Sequence, residues 1–279
     1  MHNARLPADV AETVARALAE DVGAGDVTAA LIPADETAQA RIVAREPGVL
    51  CGAAWAEETF RQIAPNVRAN WYKHDGDDLA PDAVLCTLAG PARGILTAER
   101  TALNFLQTLS GTATTARRYA DAVAGTGATV IDTRKTLPGL RSAQKYAVAV
   151  GGCGNHRMGL YDFILIKENH IAAAGGVAAA LAAARAQDAG VPIEIEVETL
   201  AQLEEALASG AGYVLLDNFD LAGLREAVRI NAGRAKLEAS GNVDFARLRE
   251  IAETGVDTIS VGALTKHVRA LDLSLRFER

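Results

Sequence analysis

The sequence is poor in cysteine, methionine and aromatic residues. Its 279 residues include three cysteines, two methionines and 5% Phe, Trp and Tyr. Cys51, Cys86 and Cys153 are widely separated and match no metal-ligand spacing, which argues against a disulfide-rich secreted domain or a zinc module. Unpaired thiols instead indicate a reducing, cytoplasmic location. We interpret Cys153 as a small packing residue rather than a nucleophile.

Other absences narrow the class of protein further. No apolar run approaches the roughly 20 residues that cross a bilayer, and Met1 to Pro7 lacks the regions of a signal peptide. The formal charge of −7 argues against a nucleic-acid or anionic-membrane partner. The motifs of P-loop nucleotide enzymes, Gly-x-Ser-x-Gly hydrolases and His-Glu-x-x-His metalloproteases are also missing. We therefore expect a globular protein that acts on small molecules.

One segment concentrates positive charge in this acidic chain. Between positions 134 and 167 the only acidic residue is Asp162. The basic residues of that segment are Arg134, Lys135, Arg141, Lys145, Arg157 and Lys167. Guanidinium and ammonium groups at this density predict a place where an anion binds.

The first part of the chain has an α+β pattern. Apolar residues at four-residue spacing after Pro7 predict a helix with one buried face. Strand-like patterns follow at Gln39–Arg45, around Trp71 and at Ala83–Leu88, so we expect a small open sheet covered on one face. A long helical pattern then runs from Thr97 to about Val123. We predict a break in it near Ser110-Gly111, at the junction with the second part.

The second part alternates strands and helices. Six short apolar runs predict strands, at Ala128–Ile131, Phe163–Ile166, Ile193–Val197, Tyr213–Leu216, Ala235–Leu237 and Thr258–Val261. Helical patterns separate most of them, at Val177–Ala186, Leu200–Ala208, Leu221–Ile230 and Phe245–Ala252. This alternation predicts a parallel sheet. The missing dinucleotide-binding fingerprint favours a closed or nearly closed barrel, although periodicity alone leaves the choice open.

Polar residues follow nearly every predicted strand. The residues in question are Asp132 to Lys135, Lys167 to His170, Glu196, Glu198, Asp217, Asn218, Glu238, Ser240, Gly241 and Gly262. In α/β barrels the carboxyl ends of the strands converge on the face where the reaction occurs. Polar loops commonly follow strands, so a single such ending predicts nothing. The repetition indicates an active site.

The charges at these strand ends are of both signs. Arg134, Lys135, Arg157 and Lys167 would bind anions, and Glu196 and Asp217 would face them from neighbouring strands. Two carboxylates beside a phosphate site favour Mg²⁺. For any single pair of residues, a salt bridge between loops remains the simpler interpretation.

The glycine-rich run Gly151–Arg157 is a weaker signal. Its backbone amides would suit a phosphate, and a flexible turn explains it equally well. Within it, His156 is either a hydrogen-bond donor to an anion or a helix-capping residue.

Several long motifs, in order, resemble the quinolinate phosphoribosyltransferase family. Ile131–Gly139 (Ile-Asp-Thr-Arg-Lys-Thr-Leu-Pro-Gly) carries the resemblance, together with Asn155-His156-Arg157 and Ile166–His170 (Ile-Lys-Glu-Asn-His). The similarity covers nearly the whole chain. Its other motifs are Gly23–Asp26, Gly48–Gly52, Glu99–Asn104, Glu194–Glu198, Leu216–Phe219, Glu238–Asn242 and Ser260–Thr265.

The resemblance implies a two-domain α/β fold. An N-terminal open α/β sandwich would span residues 1–112, joined by 270–279, and an incomplete (β/α)6-type barrel would span 113–269. The resemblance also implies a homodimer, possibly part of a higher oligomer. In that dimer the N-terminal domain of one subunit covers the barrel mouth of the other, and Arg100 acts in trans.

The reaction implied is transfer of phosphoribosyl from phosphoribosyl pyrophosphate to quinolinate with decarboxylation, in de novo NAD synthesis. Glu196, Asp217, Lys135 and Lys167 would be catalytic, with Mg²⁺ bound by the two carboxylates and no organic cofactor. The substrate-binding residues implied are Arg100, Thr133, Arg134, Lys135, His156, Arg157, Lys167, Glu196, Asp217, Ser240, Gly241, Asn242 and Gly262. The alternatives are a nicotinate phosphoribosyltransferase, a Schiff-base lyase using Lys167, and a non-catalytic binding module.

Overall fold

The computed structural model describes residues 4–241 and 243–278. Within these parts of the chain, no helix combines the length and apolar character that a bilayer crossing requires. The chain forms two compact units. The sheet unit contains the chain up to Arg117, Thr136–Gly152 and the chain from Ala263; the barrel unit contains Arg118–Lys135 and Cys153–Gly262. The domain limits expected from the sequence stay a prediction.

The sheet unit is built on a four-stranded antiparallel sheet. Its strands are β1 (Thr37–Ala44), β3 (Arg68–Trp71), β5 (Val84–Pro91) and β12 (Leu273–Phe277), and a separate pair joins β2 (Gly48–Val49) to β4 (Asp78–Leu79). The strand order is β12-β1-β5-β3, so the end of the chain supplies one edge.

Helices cover this sheet. They are α1 (Val10–Val22), a 3-10 turn at Ala29–Leu31, α2 (Ala53–Ile63), the start of α3 (Ala92–Ala122), α4 (Arg141–Val150) and α10 (Ala263–Lys266). Ile42 of β1, Phe60 of α2 and Leu106 of α3 belong to one buried apolar cluster. Val14 of α1 and Trp55 of α2 belong to a second. Burial of apolar side chains is therefore what holds this unit together.

The predicted break in the long helix is wrong. Helix α3 runs without interruption from Ala92 to Ala122. A Cβ at Gly111 would overlap the carbonyl oxygen of Arg269, so the glycine allows a close approach of backbone to the helix. The Ser110 hydroxyl bonds both backbone polar groups of Cys51. The small polar pair thus marks a packing contact instead of a helix end.

The barrel unit contains six parallel strands. They are β6 (Thr129–Ile131), β7 (Ile164–Ile166), β8 (Ile193–Val197), β9 (Tyr213–Asp217), β10 (Lys236–Ser240) and β11 (Thr258–Ser260), in the order β6-β11-β10-β9-β8-β7. The first two strands of this unit, β6 and β7, thus lie at opposite ends of the order, as in a barrel that is open between them. The predicted α/β class, with an open sandwich and an incomplete barrel, is confirmed.

Helices connect these strands. They are α5 (Glu168–Ala174), α6 (Val177–Ala186), α7 (Leu200–Ala208), α8 (Leu221–Asn231), a 3-10 turn at Phe245–Arg247 and α9 (Leu248–Ala252). The predicted bounds of α6 and α7 are confirmed. The helix predicted at Phe245–Ala252 starts as a 3-10 turn, where the Asp244 carboxylate accepts the backbone N–H of Ala246.

Candidate active site

A cavity of about 250 Å³ lies at the carboxyl ends of the barrel strands; we call it the carboxyl-end cavity. Its lining residues are Thr133, Arg134, Lys135, His156, Arg157, Leu165, Lys167, Glu196, Leu215, Glu238, Ser240 and Ser260. Because alternate residues of a strand point to the same side, Glu238 and Ser240 of β10 both reach it. The residues that line this cavity are far apart in the sequence and come together at the strand ends, as expected.

Four cationic side chains line the cavity: Arg134, Lys135, Arg157 and Lys167. Burial, followed by the positive charge of Arg134, lowers the pKa of the Arg157 guanidinium. The direction of this shift shows that the positive charges are partly desolvated and repel one another. An anion placed among them would relieve that repulsion.

The other two basic residues of the predicted cluster lie elsewhere. Arg141 and Lys145 are on α4 in the sheet unit, and the Lys145 side chain is almost fully buried. The basic segment is thus divided between the two units because Thr136–Gly152 folds with the first of them. Charge density along the sequence overstated the size of the cluster.

An ion pair links the two sides of the site. Lys167 Nζ lies 3.2 Å from Glu196 Oε2. The pKa of Glu196 is raised overall. Burial is the main cause of this rise, the charge of Asp217 adds to it, and Lys167 opposes it. Glu196 and Asp217 belong to the adjacent strands β8 and β9, as predicted. Asp217 lies at the end of its strand without lining the cavity.

A buried polar cluster lies on the inner side of the cavity. His156 Nε2 is 3.0 Å from Glu194 Oε2 and 3.7 Å from Glu238 Oε2. The backbone N–H of Arg157 donates to His156 Nδ1, so that nitrogen carries a lone pair and the ring proton is on Nε2. His156 therefore donates to Glu194. Among the described elements, α4 ends at Val150 and the next one, β7, starts at Ile164, so His156 lies at no helix end and the helix-capping interpretation is wrong.

The segment that carries His156 is attached to the open edge of the barrel. Gly154 makes a parallel bridge to Ile131 of β6. The Asp132 carboxylate, fully buried, accepts the backbone N–H of His156 at 2.9 Å and the side-chain amide of Asn155 at 2.7 Å. These bonds hold His156 and Arg157 beside β6. The predicted alternative of a flexible turn does not describe this segment.

Close packing explains two of the predicted glycines. A Cβ at Gly262 would lie 2.9 Å from the side chain of Lys135. Gly241 has a φ of +86°, and a Cβ there would overlap the Asn218 side chain. Both glycines lie at strand ends beside the cavity without lining it. The Thr133 hydroxyl accepts the backbone N–H of Lys135 at 3.1 Å. Asn242, the remaining predicted residue of this loop, lies outside the described residues.

Arg100 is the one predicted site residue that belongs to the sheet unit. It is exposed on α3. All other predicted residues that the structure describes belong to the barrel unit.

Sequence reasoning assigned no role to two carboxylates of the site. Glu194 and Glu238 are 3% and 4% exposed; Glu238 was expected only as a polar residue after a strand, and Glu194 only as part of a family motif. Their signal was available, since Glu194 precedes Glu196 by two residues and Glu238 precedes Ser240 by two. At strand spacing each pair must point to the same side. The run at Ala235–Leu237 was predicted to end before Glu238, whereas β10 continues to Ser240.

Comparisons with known proteins identify the family of the chain. The family model described as quinolinate phosphoribosyl transferase, C-terminal domain, matches residues 112–276, and the corresponding N-terminal domain model matches residues 26–110. The probable nicotinate-nucleotide pyrophosphorylase [carboxylating] of Bacillus subtilis is 43% identical, with 92% of this chain and 89% of that protein covered. The nicotinate-nucleotide pyrophosphorylase [carboxylating] of Mycobacterium leprae is 45% identical, with 95% of each chain covered.

A solved structure extends the agreement to three dimensions. The nicotinate-nucleotide pyrophosphorylase from Francisella tularensis is 45% identical, has a TM-score of 0.95 and covers 98% of each chain. Both family models together span most of the sequence, in the order of the two expected domains. The chain belongs to the quinolinate phosphoribosyl transferase family.

Proposed function

We propose that the protein transfers phosphoribosyl from phosphoribosyl pyrophosphate to quinolinate with loss of carbon dioxide. The products are nicotinate mononucleotide, pyrophosphate and CO₂. One observation of the structure carries the proposal: four cationic side chains line a cavity at the carboxyl ends of a parallel barrel, with Glu196 among them. A pyridine dicarboxylate and a phosphorylated sugar are the kind of polyanionic pair that such a cavity suits.

The cationic residues bind and orient the two substrates. Arg134, Arg157, Lys135 and Lys167 hold the two pyridine carboxylates and the sugar phosphates, which places the ring nitrogen in line with the anomeric carbon. His156 completes this wall through its ring, which is fixed by Glu194. Around them, Thr133, Ser240, Gly241 and Gly262 offer hydroxyl or backbone N–H groups to the 5′-phosphate. We also assign Asn242 to this phosphate site.

Departure of pyrophosphate builds positive charge at the anomeric carbon. Glu196 and Asp217 stabilise this charge and bind the ribose hydroxyls. The lysines balance the negative charge that grows on the leaving group. Once the ring nitrogen is alkylated it is cationic, so it stabilises the carbanion left when the neighbouring carboxylate departs as CO₂. The substrate thus acts as its own electron sink and no organic cofactor is required.

The carboxylates also fit Mg²⁺. Glu196 and Asp217 provide oxygen donors on adjacent strands, and the negative charge of Asp217 contributes to the raised pKa of Glu196. A divalent cation beside them would remove this repulsion. Bound there, Mg²⁺ supplies charge neutralisation for the pyrophosphate group.

A homodimer completes the proposal, possibly within a higher oligomer. Arg100 of one subunit contacts the quinolinate bound by the other, which adds a cation and helps to exclude water from the activated sugar. Its exposure on α3 leaves the guanidinium available for such a role. A cytoplasmic location is supported by Cys51 and Cys86, whose thiols are buried and form no disulfide.

The function is tested by incubating the protein with quinolinate, phosphoribosyl pyrophosphate and Mg²⁺. We expect CO₂ and nicotinate mononucleotide to form together in equal amounts, and no reaction with nicotinate in place of quinolinate. Turnover of nicotinate at a comparable rate would contradict the proposal. For a Schiff-base lyase, the Lys167 amine would need to be available to attack a carbonyl, whereas it is paired with Glu196 Oε2 at 3.2 Å. Borohydride should accordingly trap no adduct with carbonyl substrates.

A further inference from the structure

We propose that Glu238 is the acid that protonates the ring carbon after CO₂ leaves, and that it regains its proton through a second cavity on the opposite side of the barrel. The inference rests on the proposed function, because that reaction must replace a carboxyl group by hydrogen.

The second cavity, here called the amino-end cavity, has a volume of about 420 Å³. Residues at or before the amino ends of the strands line it, among them Gly127, Thr129, Tyr213, Lys236 and Thr258. The side chain of Lys236 is 67% exposed and Tyr213 is 43% exposed, so the cavity reaches the protein surface. Its wall therefore has direct access to water.

The two cavities share three lining residues: His156, Arg157 and Glu238. Glu238 is thus reached from the substrate side and from the amino-end side. Its residue exposure is only 4%, and its Oε1 atom has no hydrogen-bond partner among the residues that the structure describes. An unpaired buried oxygen is costly, so this atom is suited to a group that arrives during the reaction.

Burial and two neighbouring carboxylates favour the protonated form of Glu238, whereas His156 and Ser260 favour its ionised form. Glu194 and Glu196 face it from β8, and His156 faces it from the segment beside β6. Ser260 of β11 is its uncharged neighbour. Burial, followed by the charge of Glu194, raises the pKa of Glu238 to about 7. Glu194 in turn contacts His156 Nε2 at 3.0 Å.

The proton balance of the step is simple. The bond between the ring carbon and the carboxyl carbon breaks, CO₂ departs and the electron pair stays on the ring carbon. The O–H bond of Glu238 then breaks and a C–H bond forms at that carbon. Glu238 is left as a carboxylate beside Glu194, and repulsion between the two carboxylates favours recapture of a proton.

The amino-end cavity explains where that proton comes from. Two polyanionic substrates occupying the carboxyl-end cavity exclude water from that side. Water in the amino-end cavity can still reach Glu238, since no substrate occupies that side. The reaction can then resupply its acid without opening the substrate site.

A metal ion does not fit the same cluster. The side chains of His156, Glu194 and Glu238 are close enough to one another to hold a cation. However, His156 Nδ1 accepts the backbone N–H of Arg157, which leaves the proton on Nε2, the atom that faces the carboxylates. A metal ligand needs a lone pair at that position. The cluster is therefore built to hold a proton.

The first test is the Glu238→Gln variant, which keeps the size of the side chain and removes the acid. We expect kcat for mononucleotide formation to fall by about 100-fold, a typical loss for a general acid, while the Kd of quinolinate changes less than about twofold. Wild-type kcat should decline as pH rises through the pKa of Glu238, and this decline should be absent in the variant. Glu250→Gln, at an exposed position on α9, is the matched control and should retain wild-type kcat.

The second test obstructs the amino-end cavity and does not depend on the folding of the first variant. Gly127 lines the cavity, and a Cβ there meets nothing within 4 Å. In Gly127→Leu, rapid-quench measurements should show a first turnover at the wild-type rate followed by slower turnovers. Gly212→Leu is the control, because a Cβ at Gly212 is equally free and that residue does not line the cavity.

The outcomes separate this inference from the function it rests on. If the wild-type protein forms no mononucleotide, the proposed function is wrong. If the wild type is active and Glu238→Gln retains its kcat and pH profile, Glu238 is not the acid. If Gly127→Leu shows equal first and later turnovers at the wild-type rate, the amino-end cavity is not the proton route.

Discussion

The interiors of the two units differ in chemistry. The sheet unit is filled by apolar side chains such as Ile42, Phe60 and Leu106. Inside the barrel unit, Glu194 and Glu238 are almost fully buried, and Glu196 and Lys167 form an ion pair at the carboxyl ends of the strands. Burying carboxylates costs free energy, and replacing such groups by apolar ones is often neutral or stabilising. The apolar interior of the sheet unit therefore suits stability, whereas the charged interior of the barrel unit suits chemistry.

Removal of magnesium should have the largest effect, and it should affect turnover in the barrel unit without changing the stability of the sheet unit. Chelation of divalent ions is expected to abolish turnover, because the leaving pyrophosphate then lacks the part of its charge neutralisation that Mg²⁺ would supply. The melting temperature should stay the same, since the apolar core of the sheet unit needs no metal. Activity assays and thermal melts with and without chelator test this; unchanged turnover in the absence of divalent ions would contradict the magnesium assignment.

The Glu196→Gln variant should lose turnover by about 100- to 1000-fold, the magnitude found when one preorganised charge-stabilising group is removed. Its stability should change little, because the variant removes a partly buried charge. Steady-state kinetics measure the turnover of the variant, and urea unfolding measures its stability. Unfolding at a much lower urea concentration together with normal turnover would show that Glu196 contributes to stability and not to the reaction.

The Leu106→Ala variant should lower the stability of the sheet unit and leave turnover unchanged. Leu106 is fully buried in the apolar cluster. Its truncation should lower the free energy of unfolding by about 3 kcal/mol. At a temperature where the variant is folded, kcat should equal that of the wild type. A large loss of kcat in the folded variant would show that the sheet unit takes part in the chemistry through its core.

Arg100→Ala examines the one proposed site residue of the sheet unit. We expect the KM for quinolinate to rise about tenfold, as for loss of a charge-assisted hydrogen bond, without a change in melting temperature. Mixing this variant with an inactive Glu196→Gln variant should restore part of the activity if subunits exchange and Arg100 acts in trans. Unaltered quinolinate kinetics in Arg100→Ala would refute the assignment.

The smallest effect should come from the surface of the barrel unit. Arg249 pairs with Glu253 at 2.7 Å, and both side chains are about half exposed (50% and 54%). Exposed pairs of this kind contribute roughly 0.5 kcal/mol or less. Arg249→Ala should therefore change neither kcat nor the unfolding midpoint beyond that amount. A loss above about 1 kcal/mol would give this surface a structural role that its exposure does not indicate.

Much of the barrel unit could be predicted because its strands and helices are short and strongly patterned. The bounds of β8, α6 and α7 agree with the sequence pattern. The helix break at Ser110-Gly111 was predicted wrongly, because a glycine required by tertiary packing has the same local signal as a helix end. Only the folded chain shows that Gly111 faces the carbonyl of Arg269.

The site was predicted in part for a similar reason. Lys167 and Glu196 could be paired in advance, since both follow or end strands whose carboxyl ends converge. Glu194 lies inside a predicted strand and Glu238 follows one, and neither was given a role, because the sequence alone does not tell which strand face is inside the barrel. The division of the basic segment between two units depends on long-range contacts that no local pattern contains.

The location of quinolinate in a crystal of the protein decides whether the carboxyl ends of the barrel strands form the substrate site. We expect quinolinate to occupy the carboxyl-end cavity, with its two carboxylates within about 3 Å of groups from Arg134, Lys135, Arg157 or Lys167. Quinolinate bound in the amino-end cavity, or elsewhere on the protein with the carboxyl-end cavity empty, would contradict it.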